Sequence, residues 1–386
     1  MNNATTAAAF LFGAFVGLLP VPAGAAEDAG AAPLHLRLVK VMDVTGFGQP
    51  MVAATLLLPS DWQVASGVRW TTEIGCPQNL VQLSLKASSP DGRLGFEVFP
   101  DFSWAWYDDP TVQQYARQAE QLYGARGCEL LPPFDAAAYL QHVLLPRWRA
   151  GSTLADIGRV EELAEAMRVD YEALVGPSPG GVQTEFDAAL ATLETPRAGG
   201  TDSEWVLASV IHTAAALPMA SSVWTGTLQT AASYKSAAVA QFAARAPQGE
   251  LERHVRLFEA IWRSFRLDPR WDAARLQFWQ TIARIEHQGA QDRLRIMEQS
   301  RREIGAIVAQ TYASRQASLD RQFERRSQAL RGVETFVDPA TDTRVELSHG
   351  YQDAWTNGLG DYVLSDSPGF DPGRELGGNW RALVRE

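Results

Sequence analysis

Lysine is almost missing from this chain. Of its 34 basic residues only Lys40, Lys86 and Lys235 are lysines, and the rest are arginines. Cysteine is as sparse, with two in 386 residues, Cys76 in EIGCPQN and Cys128 in ARGCELLPP. They form no CxxC, so a redox pair has no motif to stand on. Histidine occurs six times, at His35, His142, His212, His254, His287 and His349, without an HExxH or HxH arrangement. A zinc site built from sequence-near ligands is therefore not expected. There is no GxxxxGKS phosphate loop, no GxGxxG after a strand and no GxSxG elbow. These gaps argue against phosphate-cofactor chemistry and serine hydrolysis, and no cofactor or metal is expected. Beyond the first residues no apolar run is long enough to cross a bilayer.

The one long apolar run lies at the start, MNNATTAAAFLFGAFVGLLPVPAGAA. Ala7 to Leu19 is a suitable hydrophobic region, Pro20 and Pro22 break it, and Ala23-Gly24-Ala25 fits a small-x-small cleavage site. Residues 1–26 are thus expected to be a signal peptide, although the segment before the apolar run has no Lys or Arg. Secretion or a periplasmic location follows. In such an oxidising compartment Cys76 and Cys128 read as one disulfide.

The net charge is −11, which repels phosphates and disfavours nucleic acid as a partner. The charge is uneven. From Arg284 to Arg331 ten arginines face six acids, a local +4, so the remainder carries −15. A basic segment on an acidic body suits docking on the same chain, on a second copy or on an envelope protein.

Period-two alternation marks strands at MVAATLLLP (51–59), NLVQLSLKA (79–87) and LGFEVFP (94–100), the last two joined by the turn SSPDG. Helices are expected near 111–123, 135–145 and within 157–175. Strand patterns resume at VQTEFDAALATL, EWVLASVIH, VWTGTLQTAAS and SAAVAQFAARA. An amphipathic helix follows, with Leu251, Val255, Phe258, Ile261 or Trp262, and Phe265 on one stripe. Asp268 is a good N-cap and Pro269 a good first residue for a further helix. No proline interrupts the stretch to Arg331, so 268–331 is expected to be a long Arg-rich helix or helical hairpin. The expected fold class is α+β: residues 34–266 form an antiparallel sheet with covering helices, the helical segment 268–331 follows, and 333–386 make a small C-terminal β module.

Two aromatic and acidic clusters could carry binding or chemistry. FPDFSWAWYDDP places Trp104, Trp106 and Tyr107 beside Asp101, Asp108 and Asp109. The tryptophans could stack a sugar or peptide while the carboxylates act on it. Asp108 or Asp109 could equally cap a helix that starts at Pro110. GYQDAWTNGLGDYVLSDSPGFDPGRELGGNW places Trp355, Tyr362 and Trp380 around glycine turns. It lacks the alternating acids of a calcium loop, and Thr356-Asn357-Gly358 supplies hairpin turn chemistry.

LPSDWQV (Leu58 to Val64), NLVQLSLKA, LGFEVFP and ELERHVRLFEAIWRSF (Glu250 to Phe265) together resemble the PsbP-like fold, named for an extrinsic subunit of photosystem II. The resemblance covers residues 45–266 at most, and the helices between Thr111 and Val175 depart from its minimal form. The ending also resembles that of secreted bacterial proteins with a WxNGxGxYxLxDxPxFxP pattern, here Trp355, Asn357, Gly358, Gly360, Tyr362, Leu364, Asp366, Pro368, Phe370 and Pro372. Neither resemblance supplies a catalytic residue. The first implies binding and assembly. The expected function is a secreted or periplasmic, non-enzymatic binding or assembly protein of the bacterial envelope. The alternative is an envelope hydrolase or carbohydrate-active enzyme using the Asp carboxylates near Trp104 and Trp106.

Overall fold

Antiparallel strands dominate because alternating and small apolar residues recur along most of the chain. The computed structural model describes residues 33–71, 76–123, 128–175, 182–197, 199–219, 229–285, 303–304, 332–367 and 369–386. The expected signal segment lies outside these residues.

The largest sheet has the order β3 (Gln63–Trp70), β4 (Val81–Ser88), β5 (Gly95–Val98), β10 (Gln229–Pro247), β9 (Gly200–Met219), β8 (Val182–Arg197), β7 (Thr153–Arg159). A further strand, β6 (Phe102–Tyr107), also pairs with β10. β4 and β5 form the expected hairpin, with Ser88 opposite Gly95 and Leu85 opposite Val98. A bulge between Val239 and Phe242 divides β10, so that β6 pairs with Ser233–Ala238 and β5 with Phe242–Arg245. At the bulge Ala240 adopts a φ of 49°, a left-handed conformation that costs an alanine energy. The buried Gln241 side chain holds it in place. It donates to the Pro100 carbonyl (2.8 Å) and accepts from the Tyr139 hydroxyl (2.8 Å).

Both faces of this sheet are covered. On one face Ala189, Ala191, Val206, Ala208 and Ala243 pack beneath α2 (Ala136–Tyr139), a π-helical turn (Leu140–Leu144) and α3 (Leu145–Trp148). On the other, Leu83, Leu85, Phe96, Leu207 and Phe242 meet α4 (Glu161–Val175), α5 (Val255–Ser264) and α6 (Pro269–Ile285). With two buried faces, small residues replace the usual apolar-polar alternation. α1 (Pro110–Tyr123) follows β6.

A second sheet runs β11 (Arg266–Leu267), β2 (Met51–Pro59), β1 (Leu34–Asp43), β15 (Asp361–Ser365), β14 (Asp353–Thr356), β16 (Arg381–Ala382). A third has β13 (Thr343–Ser348), β12 (Val333–Asp338) and β17 (Val384–Arg385). Leu36, Leu57, Phe336, Leu347 and Leu364 fill the core between them. A short helix, α7, spans Pro372–Glu375 and is capped by Asp371. Buried Asp43 ties β1 to its surroundings, accepting from the indoles of Trp70 (3.0 Å) and Trp271 (2.8 Å) and from Gly46 N (2.7 Å).

This architecture corrects the expected fold class. Among the described residues strand outweighs helix, 49% against 26%. The C-terminal β segment is not a module apart, because β15 pairs with β1 and carries the second sheet onward through β14 and β16. The open edge of β1 took up the alternating strand at Tyr362 and Leu364. No long helix or helical hairpin occurs among the described residues. The helix that begins at Pro269, capped by Asp268 as expected (2.9 Å to Arg270 N), is followed as far as Ile285. Apart from 303–304, residues 286–331 lie outside the description.

Candidate functional site

The aromatic residues singled out in the sequence do not assemble into one platform. Trp104 is 1% exposed. It stacks on Tyr139 at 5.3 Å and 8°, and its indole donates to the Pro132 carbonyl (2.9 Å). Trp106 is half-buried opposite Tyr234 of β10. Trp355 and Tyr362 lie on opposite faces of the second sheet. Trp355 meets Phe370 edge-on at 5.5 Å, whereas Tyr362 pairs with Leu36 and packs on the core between the second and third sheets. Trp380 meets His35 at 5.2 Å and donates to the Gly377 carbonyl (2.8 Å). The hairpin turn forms as expected, with Gly358 and Gly360 at φ 74° and 99°.

The three aspartates are likewise apart. Asp109 caps α1, accepting from Thr111 N (2.7 Å) and Val112 N (3.2 Å), and Asp108 accepts from Ala232 N (2.7 Å). Asp101 lies beneath α6, 3.5 Å from the Arg275 guanidinium, which also pairs with Asp272. Burial pushes Asp101 up to about 7, with Arg275 opposing only in part and Asp272 adding to the rise. Cys76 and Cys128 form the expected disulfide. Next to it, Asn79 exchanges two hydrogen bonds with the Ser103 backbone (2.7 and 2.8 Å), fixing the Pro77–Leu80 turn to β6. A buried Ser236 hydroxyl meets His212 Nδ1 at 2.7 Å beneath Trp104, and burial pushes the His212 pKa down. At 3% exposure Ser236 has no approach for a substrate.

The structure instead places a cleft of about 590 Å³ on the large sheet, beyond the end of α3. It crosses β3, β4, β5, β10, β9 and β8. Antiparallel register aligns Ala65, Lys86, Glu97 and Ala243 in one row, and Gln63, Ser88, Gly95, Arg245 and Glu204 in the next. Small side chains, Ala65, Ser88, Gly95 and Ala243, leave the floor low. Long ones stand as walls. Gly95 has a particular reason to be glycine. A Cβ there would meet the Arg245 Nη2 at 3.1 Å and Nε at 3.2 Å, so its absence lets that guanidinium lie flat over β5.

Arg149, just past α3, organises the charges. Its Nε and Nη2 donate to the two Glu204 oxygens at 2.7 Å each, and Nη2 also reaches Glu97 Oε2 at 2.7 Å. Its Nη1 donates to the Trp148 carbonyl (2.9 Å), and the group lies 4.8 Å over the Phe99 ring. Burial works against this charge, but the bonds to Glu204 and then Glu97 outweigh it and hold the Arg149 pKa above the usual guanidinium range. Lys86 pairs with the other Glu97 oxygen at 2.9 Å. Arg245 is 3.4 Å from Asp202, which is already held by Arg197 at 2.9 Å.

None of the five charged cleft residues stood out in the sequence. The available signal was charge inside strand patterns: Glu97 in LGFEVFP, Glu204 in EWVLASVIH and Arg245 in SAAVAQFAARA. Among the described residues no cluster of three or more His, Cys, Asp or Glu could hold a metal ion. Likewise, no described helix is long and apolar enough to cross a membrane. Compared with known proteins, the chain matches no family model, no curated protein and no solved structure.

Proposed function

We propose that this chain is a secreted or periplasmic, non-enzymatic protein that binds or assembles with components of the bacterial envelope, and that the cleft on the large sheet is its recognition surface. The observation that carries the reading is the cleft itself. Its walls are fixed by paired charges on rigid strands, and its low floor leaves room for a polar ligand. A preorganised surface of this kind loses little conformational freedom on binding. The Cys76–Cys128 disulfide fits an oxidising compartment. The resemblance of 45–266 to the PsbP-like fold points to binding and assembly as well.

A photo-crosslinking residue at Ser88 tests it, with Ala65→Trp as the variant that fills the exposed side of the cleft. One envelope protein crosslinked from Ser88, and released by Ala65→Trp, is the expected result. Turnover of a substrate that survives purification and disappears with a single cleft substitution would sink the non-enzymatic reading.

A further inference from the structure

Each carboxylate oxygen of the cleft already faces a cation, while some of the donors on those cations are left over. Both Glu204 oxygens and one Glu97 oxygen accept from Arg149, and the other Glu97 oxygen faces Lys86. On the cation side the balance differs. Lys86 carries three donor protons, is 70% exposed and meets one carboxylate oxygen. Arg245 lies over Gly95 with its Nε and Nη2, and its one ion-pair partner among the described residues is the already occupied Asp202. The Ser88 hydroxyl, opposite Gly95 in the register, has no partner among the described residues. With Asp202 and the Arg197 that holds it included, four cations stand against three carboxylates, an excess of one positive charge on a chain whose net charge is −11.

We infer that Arg245, Lys86 and Ser88 form a receptor over Gly95 for a carboxylate carried on an extended peptide, which makes the partner an acidic segment of another protein. The inference rests on the reading of the cleft as a binding surface. The guanidinium fork of Arg245 matches a planar carboxylate, and Lys86 adds a point charge beside it. One carboxylate neutralises the excess charge, whereas a phosphate dianion would leave the cleft negative. Length favours a peptide. Six adjacent strands give five steps of ~4.8 Å, roughly 24 Å, the span of about seven extended residues. Small floor residues let a backbone lie close.

The probe is a heptapeptide of serine and glycine, blocked at both ends, with one central glutamate; its control has glutamine there. Binding is followed by NMR at the Arg245 Nε–H. A saturable shift is expected with the glutamate peptide and not with the control, weakening as salt is raised. Arg245→Gln and Lys86→Gln, each checked for an unchanged melting transition, should weaken the affinity read at neighbouring amides about tenfold. Lys86 is exposed enough that its variant keeps the test decisive if Arg245→Gln unfolds. Equal binding of the glutamine peptide overturns the inference, as does inorganic phosphate binding while the peptide is inert. No binding of any probe overturns it too, and the Ser88 crosslink then decides the wider reading by itself. Peptide binding that Ala65→Trp abolishes and both charge variants retain would leave the cleft as a binding surface and remove the carboxylate receptor.

Discussion

Arg149→Met isolates the contact that organises the cleft. Arg149 and its partners are well buried, with side-chain exposures of 14% for Arg149, 15% for Glu97 and 5% for Glu204. The substitution keeps much of the aliphatic stem but removes three charge-assisted bonds. Glu97 retains Lys86 at 2.9 Å, so the orphan is Glu204, which loses both of the bonds that Arg149 donates to it. Leaving one partner of a buried pair uncompensated costs about 3–5 kcal/mol. Glu97 keeps its second cation, so the lower end of that range, about 3 kcal/mol, is expected. Urea unfolding followed by tryptophan fluorescence measures it. The double variant Arg149→Met/Glu204→Gln should recover most of the loss, because the amide need not be desolvated as a charge. The deficit should also shrink at acid pH. An unpaired buried carboxylate has a raised pKa, so it carries a proton below that value, and its penalty appears only as pH rises through it. A loss below about 1 kcal/mol, or a deficit independent of pH, would refute the assignment of Arg149 as the organising charge.

Three further outcomes follow from other parts of the fold. Cys76→Ser/Cys128→Ser opens a loop of sequence separation 52, for which loop-closure entropy gives about 4 kcal/mol; urea midpoints of the oxidised parent and the variant should differ accordingly. Asp101, ordinarily near 3.8, is held up to about 7, so the folded chain binds the extra proton between those values. Stability therefore falls as pH rises across that window, and Asp101→Asn should flatten the slope of unfolding free energy against pH. At Ala240, with φ 49°, glycine should be neutral or stabilising by up to about 1 kcal/mol and valine should lose more than about 1 kcal/mol in thermal unfolding.

Local patterns were readable. The β4–β5 hairpin, the Asp109 and Asp268 caps, the hairpin turn at Gly358 and the amphipathic α5 all follow from spacing within a few residues. The cysteine pair was readable from number and compartment. What could not be read was non-local. Nothing near Tyr362 says that its strand will lie beside Leu36. Trp355 and Trp380 look like members of one aromatic group with Tyr362 until the pleat puts Tyr362 on the other face. The cleft is hidden for the same reason. Its floor is made of the small residues Ala65, Ser88, Gly95 and Ala243, which form no motif, and only the register brings Lys86, Glu97, Arg245 and Glu204 together.

The pairing of β1 with β15 also sets the order of events when the chain is made. Leu34 ends beside Leu364, and Arg37 beside Asp361, so among the described residues the first strand waits for one of the last. Until then β1 has β2 on one side and an unsatisfied backbone edge on the other, the kind of edge that recruits other chains. Such sequence-distant contacts slow folding more than they weaken the finished fold. Completion is thus tied to a strand that lies 324 to 330 positions further along the chain (361 − 37 and 364 − 34). A chain stopped short of residue 361 would hold an open edge indefinitely, so β15 acts as a latch that distinguishes a finished molecule from a fragment.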